Sequence, residues 1–132
     1  MAMLNIASLP KHLDEIRFLL HDKKLDTLIL NETRLDSSIS DNLVSIEGYD
    51  ILRSDRKRNG GGVCMYVRCH VNYENRPDLI PNDLEAICLE IKQANSKSFI
   101  ISSVYRPPNT SVETFSKIEK LIQQVDNENK EF

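Results

Sequence analysis

The sequence predicts a mixed α/β domain built from several strands and two helices. Three patterns in its 132 residues carry this prediction. The chain opens with an apolar run, an amphipathic helical repeat and a second apolar run. Two pairs of short apolar segments follow, each pair joined by polar turn residues, and such pairs are typical of β-hairpins. A second amphipathic repeat begins after a Pro-Pro pair, which ends the preceding strand.

The first helix is predicted to connect two parallel strands. Residues 2–6 form the first apolar stretch, and Ser8 and Pro10 suit the cap and first turn of a helix that extends to about Lys24. Residues 25–30 form an apolar run of strand length. Because a helical crossover joins parallel strands, we expect the carboxyl ends of both strands at the same edge of the sheet. The apolar stripe of this helix is formed by Leu13, Ile16, Leu19 and Leu20.

Two hairpins are predicted in the middle of the chain. Residues 49–53 and 62–68 form the arms of the first, and residues 85–92 and 98–105 form the arms of the second. The segment 35–47 is rich in Ser, Asp and Asn, so it is expected to be a packed loop with one helical turn.

The second helix is predicted to begin at a capping box. Thr110 and Glu113 stand three residues apart, the spacing at which each side chain caps the backbone N–H of the other residue. Pro107 and Pro108 stop the strand before it. The apolar residues that recur at helical spacing, and are expected to face the core, are Phe115, Ile118, Leu121, Ile122 and Val125.

The composition is that of one ordinary globular domain. Hydrophobic residues make up 40% of the chain and charged residues 28%, and no apolar run approaches the ~20 residues of a membrane span. The N-terminus lacks the pattern of a secretory signal. We therefore expect an intracellular protein, nuclear or cytoplasmic, with no membrane partner. Cys64, Cys69 and Cys88 contain no C-x-x-C pair and are expected to be small buried hydrophobes.

The charge balance restricts any contact with DNA to a local patch. The net charge is −3, with 17 basic and 20 acidic residues, so the chain as a whole is not an electrostatic binder of nucleic acid. Residues 53–58 place four cations beside a glycine turn, which fits a phosphate-contacting loop; the alternative is a solvated hairpin tip. The four cations are Arg53, Arg56, Lys57 and Arg58.

Three oxygen-bearing residues are predicted at the ends of strands. Asn5 ends the first strand, Glu32 follows the second, and Tyr105 ends a later one. Ligands of α/β folds gather at such an edge, and an all-oxygen set suits Mg²⁺, which needs only one or two carboxylates. The alternatives are a turn cap for Glu32, a strand-end hydrogen bond for Asn5 and a half-buried aromatic for Tyr105.

Several short motifs, in their order and approximate spacing, resemble the endonuclease domain of non-long-terminal-repeat (LINE-type) retrotransposons, part of the endonuclease/exonuclease/phosphatase superfamily. The motifs are Leu4-Asn5-Ile6-Ala7-Ser8-Leu9, Leu30-Asn31-Glu32-Thr33-Arg34-Leu35-Asp36, Gly48-Tyr49, Asp55-Arg56, Gly60-Gly61-Gly62-Val63 and Tyr105-Arg106-Pro107-Pro108-Asn109. The resemblance implies part of a DNase I-like four-layer sandwich, in which two stacked β-sheets are flanked by helices. It also implies hydrolysis of phosphodiesters with a divalent metal, Mg²⁺ or Mn²⁺.

The resemblance assigns roles to individual residues. It makes Asn5 and Glu32 the metal-binding pair and Tyr105 the residue that helps hold the scissile phosphate. Asn109 is carried over as a catalytic residue with one more intervening residue than many relatives have. Arg106, together with the cations of residues 53–58, is implied to contact DNA.

The rest of the family pattern does not occur in the sequence. Neither a Gly-Asp-x-Asn nor a Ser-Asp-His segment is present, and His12, His21 and His70 match no family histidine. Residues 1–132 are therefore expected to be the N-terminal portion of a single domain, nearly inert alone because a positioned base contributes orders of magnitude in rate. Its uncovered apolar core is expected to cause self-association.

The resemblance implies that the complete parent nicks DNA for target-primed reverse transcription, next to a reverse transcriptase domain in the same polyprotein. A phosphoinositide or sphingolipid phosphodiesterase of the same superfamily is the first alternative, because the shared metal core does not define the substrate. A non-catalytic remnant or interaction module is the second.

Overall fold

The computed structural model describes residues 1–55, 61–106 and 112–128. The chain divides into two compact units, Met1–Val71 and Asn72–Phe132. The predicted mixed α/β class is confirmed, because the described residues form two β-sheets and two long helices. Within these residues, no helix combines the length and apolar character needed to cross a membrane.

The first unit contains a four-stranded sheet and one helix. Its neighbouring strands follow the order β1, β2, β4, β3, in which β1 and β2 are parallel and the other pairs are antiparallel. A single 3₁₀ turn at Asp41–Val44 lies in the predicted loop. The elements are β1 (Ala2–Asn5), α1 (Leu9–Lys23), β2 (Thr27–Asn31), β3 (Tyr49–Ser54) and β4 (Val63–Arg68).

Helix α1 covers one face of this sheet, as its apolar stripe predicts. Leu9, Ile16 and Leu20 are buried in one cluster with Leu28 and other residues of the strands. Burial of each such side chain stabilises the fold by roughly 2 kcal/mol. Lys24 caps the end of the helix, because its backbone is left-handed and its N–H donates to the Leu20 carbonyl oxygen.

The expected cap of α1 is wrong in its mechanism. Ser8 occupies the N-cap position, but its side chain makes no capping hydrogen bond, and its φ of 139° lies outside the usual cap geometry. Instead, the backbone N–H of Leu9 donates to the carbonyl oxygen of Thr33 at 2.9 Å. A loop after β2 therefore satisfies one of the N–H groups that begin the helix.

The second unit contains a three-stranded antiparallel sheet in the order β5, β6, β7, followed by a helix. Strand β5 and a 3₁₀ turn at Pro77–Leu79 were not predicted, because three-residue elements carry too little periodicity. The elements are β5 (Tyr73–Asn75), β6 (Ala86–Gln93), β7 (Ser96–Val104) and α2 (Val112–Asn127).

Helix α2 buries a narrower stripe than its sequence predicts. Leu121 and Val125 are buried and Ile118 packs against their cluster, but Phe115 and Ile122 remain 47% and 44% exposed. The expectation that all five residues face the core is wrong for these two. Thr110 of the predicted capping box lies outside the described residues.

The cysteine prediction holds for two of the three residues. Cys64 and Cys88 are buried within strands β4 and β6, whereas Cys69 is exposed in the turn after β4. Burial raises the pKa of the Cys64 thiol to about 12. The prediction was wrong for Cys69 because its apolar run ends one residue earlier, at Arg68.

Candidate metal site at the end of β1 and β2

The two predicted metal-binding residues lie at the same end of neighbouring strands. Asn5 and Asn31 are the last in-register pair of the parallel ladder between β1 and β2. The backbone N–H of Ile6 extends the ladder by donating to the Asn31 carbonyl oxygen at 3.2 Å. Glu32 is the next residue of the chain, so it follows directly on the residue opposite Asn5.

Glu32 has an unusual backbone. Its φ is 56°, in the left-handed region that residues other than glycine rarely adopt, and Arg34 has a φ of 55°. A left-handed residue costs about 1 to 2 kcal/mol, so neighbouring interactions must hold it. The N–H groups of Thr33 and Arg34 donate to the carbonyl oxygens of Gly62 and Gly61, at 3.3 and 3.0 Å.

The two residues that flank Glu32 in the sequence carry buried oxygens without a hydrogen-bond partner in the described residues. The Asn31 Oδ1 and Thr33 Oγ1 atoms are buried and accept no hydrogen bond within the described part of the chain. Such atoms lose several kcal/mol of hydration, so an occupant that they contact directly or through water would stabilise them. Glu32 itself is half-buried.

The donor chemistry at this edge fits a hard divalent cation. Carboxylate and amide oxygens are ligands that Mg²⁺ accepts, and it keeps several waters when one or two carboxylates hold it. Glu32 and Asn5 would be the protein ligands. Within residues 1–55, 61–106 and 112–128, no group of three or more His, Cys, Asp or Glu side chains is arranged to hold a metal. A site here would therefore use amide oxygen, water or substrate oxygen beside the Glu32 carboxylate.

Tyr105 lies in the second unit, directly after β7. It is half-buried, and its backbone N–H donates to the Glu85 carbonyl oxygen at 2.9 Å, which closes the ladder between β6 and β7. Arg106 is exposed, and its guanidinium carbon lies 5.3 Å from the centre of the Phe115 ring, a cation–π distance. Asn109 lies outside the described residues.

The Arg53 guanidinium donates hydrogen bonds to neighbouring protein groups. Its N–H groups donate to the Asp55 carboxylate, to Asp41 Oδ1 and to the carbonyl oxygens of Ile39 and Asp36, at 2.6 to 3.2 Å. The bonds with Asp55 raise the pKa of the guanidinium further. Contact between Arg53 and DNA stays a prediction, and it would compete with these bonds.

The other cations predicted in this loop, Arg56, Lys57 and Arg58, lie outside the described residues. Of the three histidines, two lie on α1 and one follows β4, and His12 lines the same cleft as Asn5. His12 is 3.3 Å from Glu15 on α1, His21 contacts the Tyr49 ring edge-on, and His70 follows β4.

Sequence reasoning missed three neighbours of Glu32, namely Asn31, Thr33 and Gly62. The available signal was the polar tripeptide that directly follows the apolar run of β2, together with the triple glycine before β4. Nothing in the sequence indicates that these two segments meet, because they are distant along the chain.

Comparisons by sequence are silent: no protein-family model and no curated protein matches the chain. Comparisons of structure are informative. The chain is similar to the endonuclease domain of TRAS1, a telomere-specific non-LTR retrotransposon, with a TM-score of 0.65 and 14% identity over 96% of this chain and 52% of that one.

Other solved structures give the same result. AP endonuclease LMAP from Leishmania major matches with a TM-score of 0.65 and 16% identity, over 96% of this chain and 44% of that one. The 3'-5' exonuclease NExo from Neisseria meningitidis matches with a TM-score of 0.65 and 19% identity, over 97% of this chain and 51% of that one. The chain therefore has the endonuclease/exonuclease/phosphatase fold, which confirms the DNase I-like prediction. It spans about half the length of the solved structures it matches.

Proposed function

We propose that this chain is the N-terminal half of a metal-dependent DNA endonuclease domain of the retrotransposon type. The proposal is supported most directly by the pairing of Asn5 with Asn31, which sets Glu32 beside the first strand at the ladder end. The unpartnered Asn31 and Thr33 oxygens next to Glu32 add to it. The likeness to nucleases of known structure supports the same class of reaction.

In this proposal, each residue has a distinct task. Glu32 and Asn5 hold a Mg²⁺ or Mn²⁺ ion, which when bound offsets the negative charge that develops on the phosphate. Tyr105 donates its hydroxyl hydrogen to a non-bridging phosphate oxygen, and the Asn109 amide donates to the same group. Arg106 holds the DNA backbone electrostatically, and the cations of residues 53–58 extend that contact.

The chemistry would still be incomplete in these 132 residues. In the family that the sequence resembles, the aspartate that readies the attacking water and the histidine that acts on the phosphate belong to Gly-Asp-x-Asn and Ser-Asp-His segments, which do not occur in these 132 residues. We expect the chain alone to be orders of magnitude slower than a complete domain. The parent would act inside the cell, next to a reverse transcriptase domain, by nicking DNA to expose a priming 3' hydroxyl.

A nicking assay at high protein concentration tests this proposal. Supercoiled plasmid is incubated with the chain and Mn²⁺, and the relaxed circle is quantified for the wild type, Glu32→Ala, Tyr105→Phe and the control Glu47→Ala. Glu47 is an exposed glutamate before β3, at the far end of the sheet from Glu32. We expect slow nicking in the wild type and Glu47→Ala that is lost in Glu32→Ala and reduced in Tyr105→Phe.

Two outcomes would contradict the proposal. Nicking that persists in Glu32→Ala would show that the activity does not come from this site. Phosphate release from a phosphoinositide that outpaces nicking under the same conditions would transfer the proposal to a lipid substrate.

A further inference from the structure

Thr33, which follows Glu32, and Gly62, which precedes β4, approach each other closely. Gly62 has a φ of 91°, and a methyl group added to its Cα would lie 2.5 Å from Thr33 Oγ1. That distance is well inside van der Waals contact, so no residue with a side chain fits at position 62 while Thr33 keeps its place. Position 62 therefore requires glycine for two reasons, its positive φ and the close approach of Thr33.

The same two residues are joined through the backbone. The Thr33 N–H donates to the Gly62 carbonyl oxygen, and the following residue, Arg34, donates to Gly61. On the other side, the Thr33 carbonyl oxygen accepts from Leu9 at the start of α1. Thr33 is thus fixed from two directions, and its side chain is fully buried.

Glu32 lies between this fixed point and the end of the ladder. Before it, Asn31 is held by Asn5 on one side and by Val63 of β4 on the other. After it, Thr33 is held against Gly62. When the residues on both sides are fixed by hydrogen bonds, the residue between them can be held in a left-handed conformation that is unfavourable for it in isolation.

We propose that Thr33 and Gly62 are positioning residues, which hold the Glu32 carboxylate in the orientation needed to bind the divalent cation. This inference rests on the proposed function. Thr33 does not need to touch the metal for this role, because its contact with Gly62 fixes the backbone from which Glu32 projects. Metal sites commonly depend on such outer partners to orient their direct ligands.

The chain offers a matched control for the backbone strain. Gly48 has a φ of 86°, close to that of Gly62, but a methyl group there would meet nothing within 4 Å. It precedes β3, whose first residue pairs with Arg68 at the end of the sheet opposite Glu32. Gly48→Ala therefore introduces the same backbone strain without the contact with Thr33.

The experiment measures two quantities in the isotope-labelled chain, the affinity for Mn²⁺ and the amide exchange of Thr33 and Arg34. In Gly62→Ala we expect both amides to lose protection and Mn²⁺ to bind about tenfold more weakly, the lower limit for loss of an outer partner in metal sites. Gly48→Ala is expected to lower the melting temperature while leaving both quantities unchanged. Thr33→Ser, which keeps Oγ, is expected to stay close to the wild type.

A double variant distinguishes positioning from simple destabilisation. In Gly62→Ala with Thr33→Ala, the atom at 2.5 Å is removed and the next nearest atoms lie at 3.7 and 3.8 Å, so we expect part of the Mn²⁺ affinity to return. A double variant that binds no more tightly than Gly62→Ala alone would overturn the inference, as would unchanged exchange in Gly62→Ala. A wild type that binds no Mn²⁺ would instead reject the proposed function, while the exchange of the two amides would still show whether Gly62 holds this backbone.

Discussion

Asn5, the last residue of β1, stands opposite Asn31, the last residue of β2, in a parallel ladder. This pairing is the structural basis of the candidate site, because Glu32 follows Asn31 without an intervening residue. The arrangement requires a crossover helix to bring the two strands side by side. Residues 9–23 provide it with a stripe of buried leucine and isoleucine side chains. The edge where the strands end is therefore a consequence of the core beneath it.

The second unit contains a largely buried ion pair between Arg76 and Glu90, and its loss should lower the free energy of unfolding. Arg76 Nη1 lies 2.7 Å from Glu90 Oε1, and both side chains are largely buried, with 13% and 7% exposed. Replacing Arg76 with Met leaves Glu90 without its cation, and breaking such a buried pair typically costs about 3 to 5 kcal/mol. Glu90 retains a bond from Ser98, so we expect a value near the lower end of that range. Chemical denaturation measures it.

The control for Arg76→Met is Lys92→Met on the same strand as Glu90. Lys92 pairs with Glu74 at 3.1 Å, but the two side chains are 46% and 55% exposed. Such exposed pairs contribute less than about 1 kcal/mol. Equal destabilisation by the two variants would contradict the account of this ion pair.

The periodicity of the apolar residues was sufficient to predict most of the fold. Helix α1 and the β3–β4 hairpin were correctly predicted because their patterns repeat over several turns or alternate over a full strand. Phe115 and Ile122 were misassigned to the core because a helical stripe does not reveal how wide a surface covers it. Strand β5 was missed because three residues show no period.

The candidate site was predictable in part. Asn5 and Glu32 could be placed at one edge because parallel strands end at the same side of a sheet. The left-handed backbone of Glu32 was not predictable, since glutamate has no preference for positive φ and the structure around it imposes that conformation. The close approach of Gly62 to Thr33 depends on the β2–β4 pairing, which no local pattern encodes.

The three cysteines should differ in their reaction with iodoacetamide. Cys69 is exposed, whereas burial raises the pKa of the Cys64 thiol to about 12 and also raises the pKa of Cys88. Because the thiolate is the nucleophile, we expect labelling of Cys69 alone at pH 8. The pKa of Cys69 is itself raised, by desolvation and by the nearby Asp50. The rate of Cys69 labelling should therefore keep increasing at pH values above the ordinary pKa of a thiol.

Mass spectrometry of the digested chain locates the label. Urea should make Cys64 and Cys88 as reactive as Cys69, because unfolding removes the burial that protects them. Rapid labelling of Cys64 in the native chain would contradict the packing of β4 described here.

Exposed apolar residues near β1 should promote self-association. Met3 and Phe18 are 64% and 71% exposed, and Leu4 and Phe18 line a cleft of about 430 Å³ between β1 and α1. Strand β1 is also an edge of its sheet, and exposed edges with apolar side chains favour pairing between chains. We expect Phe18→Ser to shift the chain toward the monomer in size-exclusion light scattering.

The matched control for Phe18→Ser is Leu43→Ser, which removes a side chain of 64% exposure from the 3₁₀ turn at Asp41–Val44. Leu43→Ser should leave the proportions of monomer and oligomer unchanged. A wild type that is monomeric at all accessible concentrations would refute self-association through this surface.

The melting temperature as a function of Mg²⁺ concentration measures whether a divalent cation binds at Glu32. At a concentration about ten times Kd, binding adds roughly 1.4 kcal/mol to the stability of the folded state. We predict a rise in melting temperature that saturates in the wild type and in Glu47→Ala, is weakened in Asn5→Ala and is absent in Glu32→Ala. An identical rise in Glu32→Ala and in the wild type would show that Glu32 does not hold the cation.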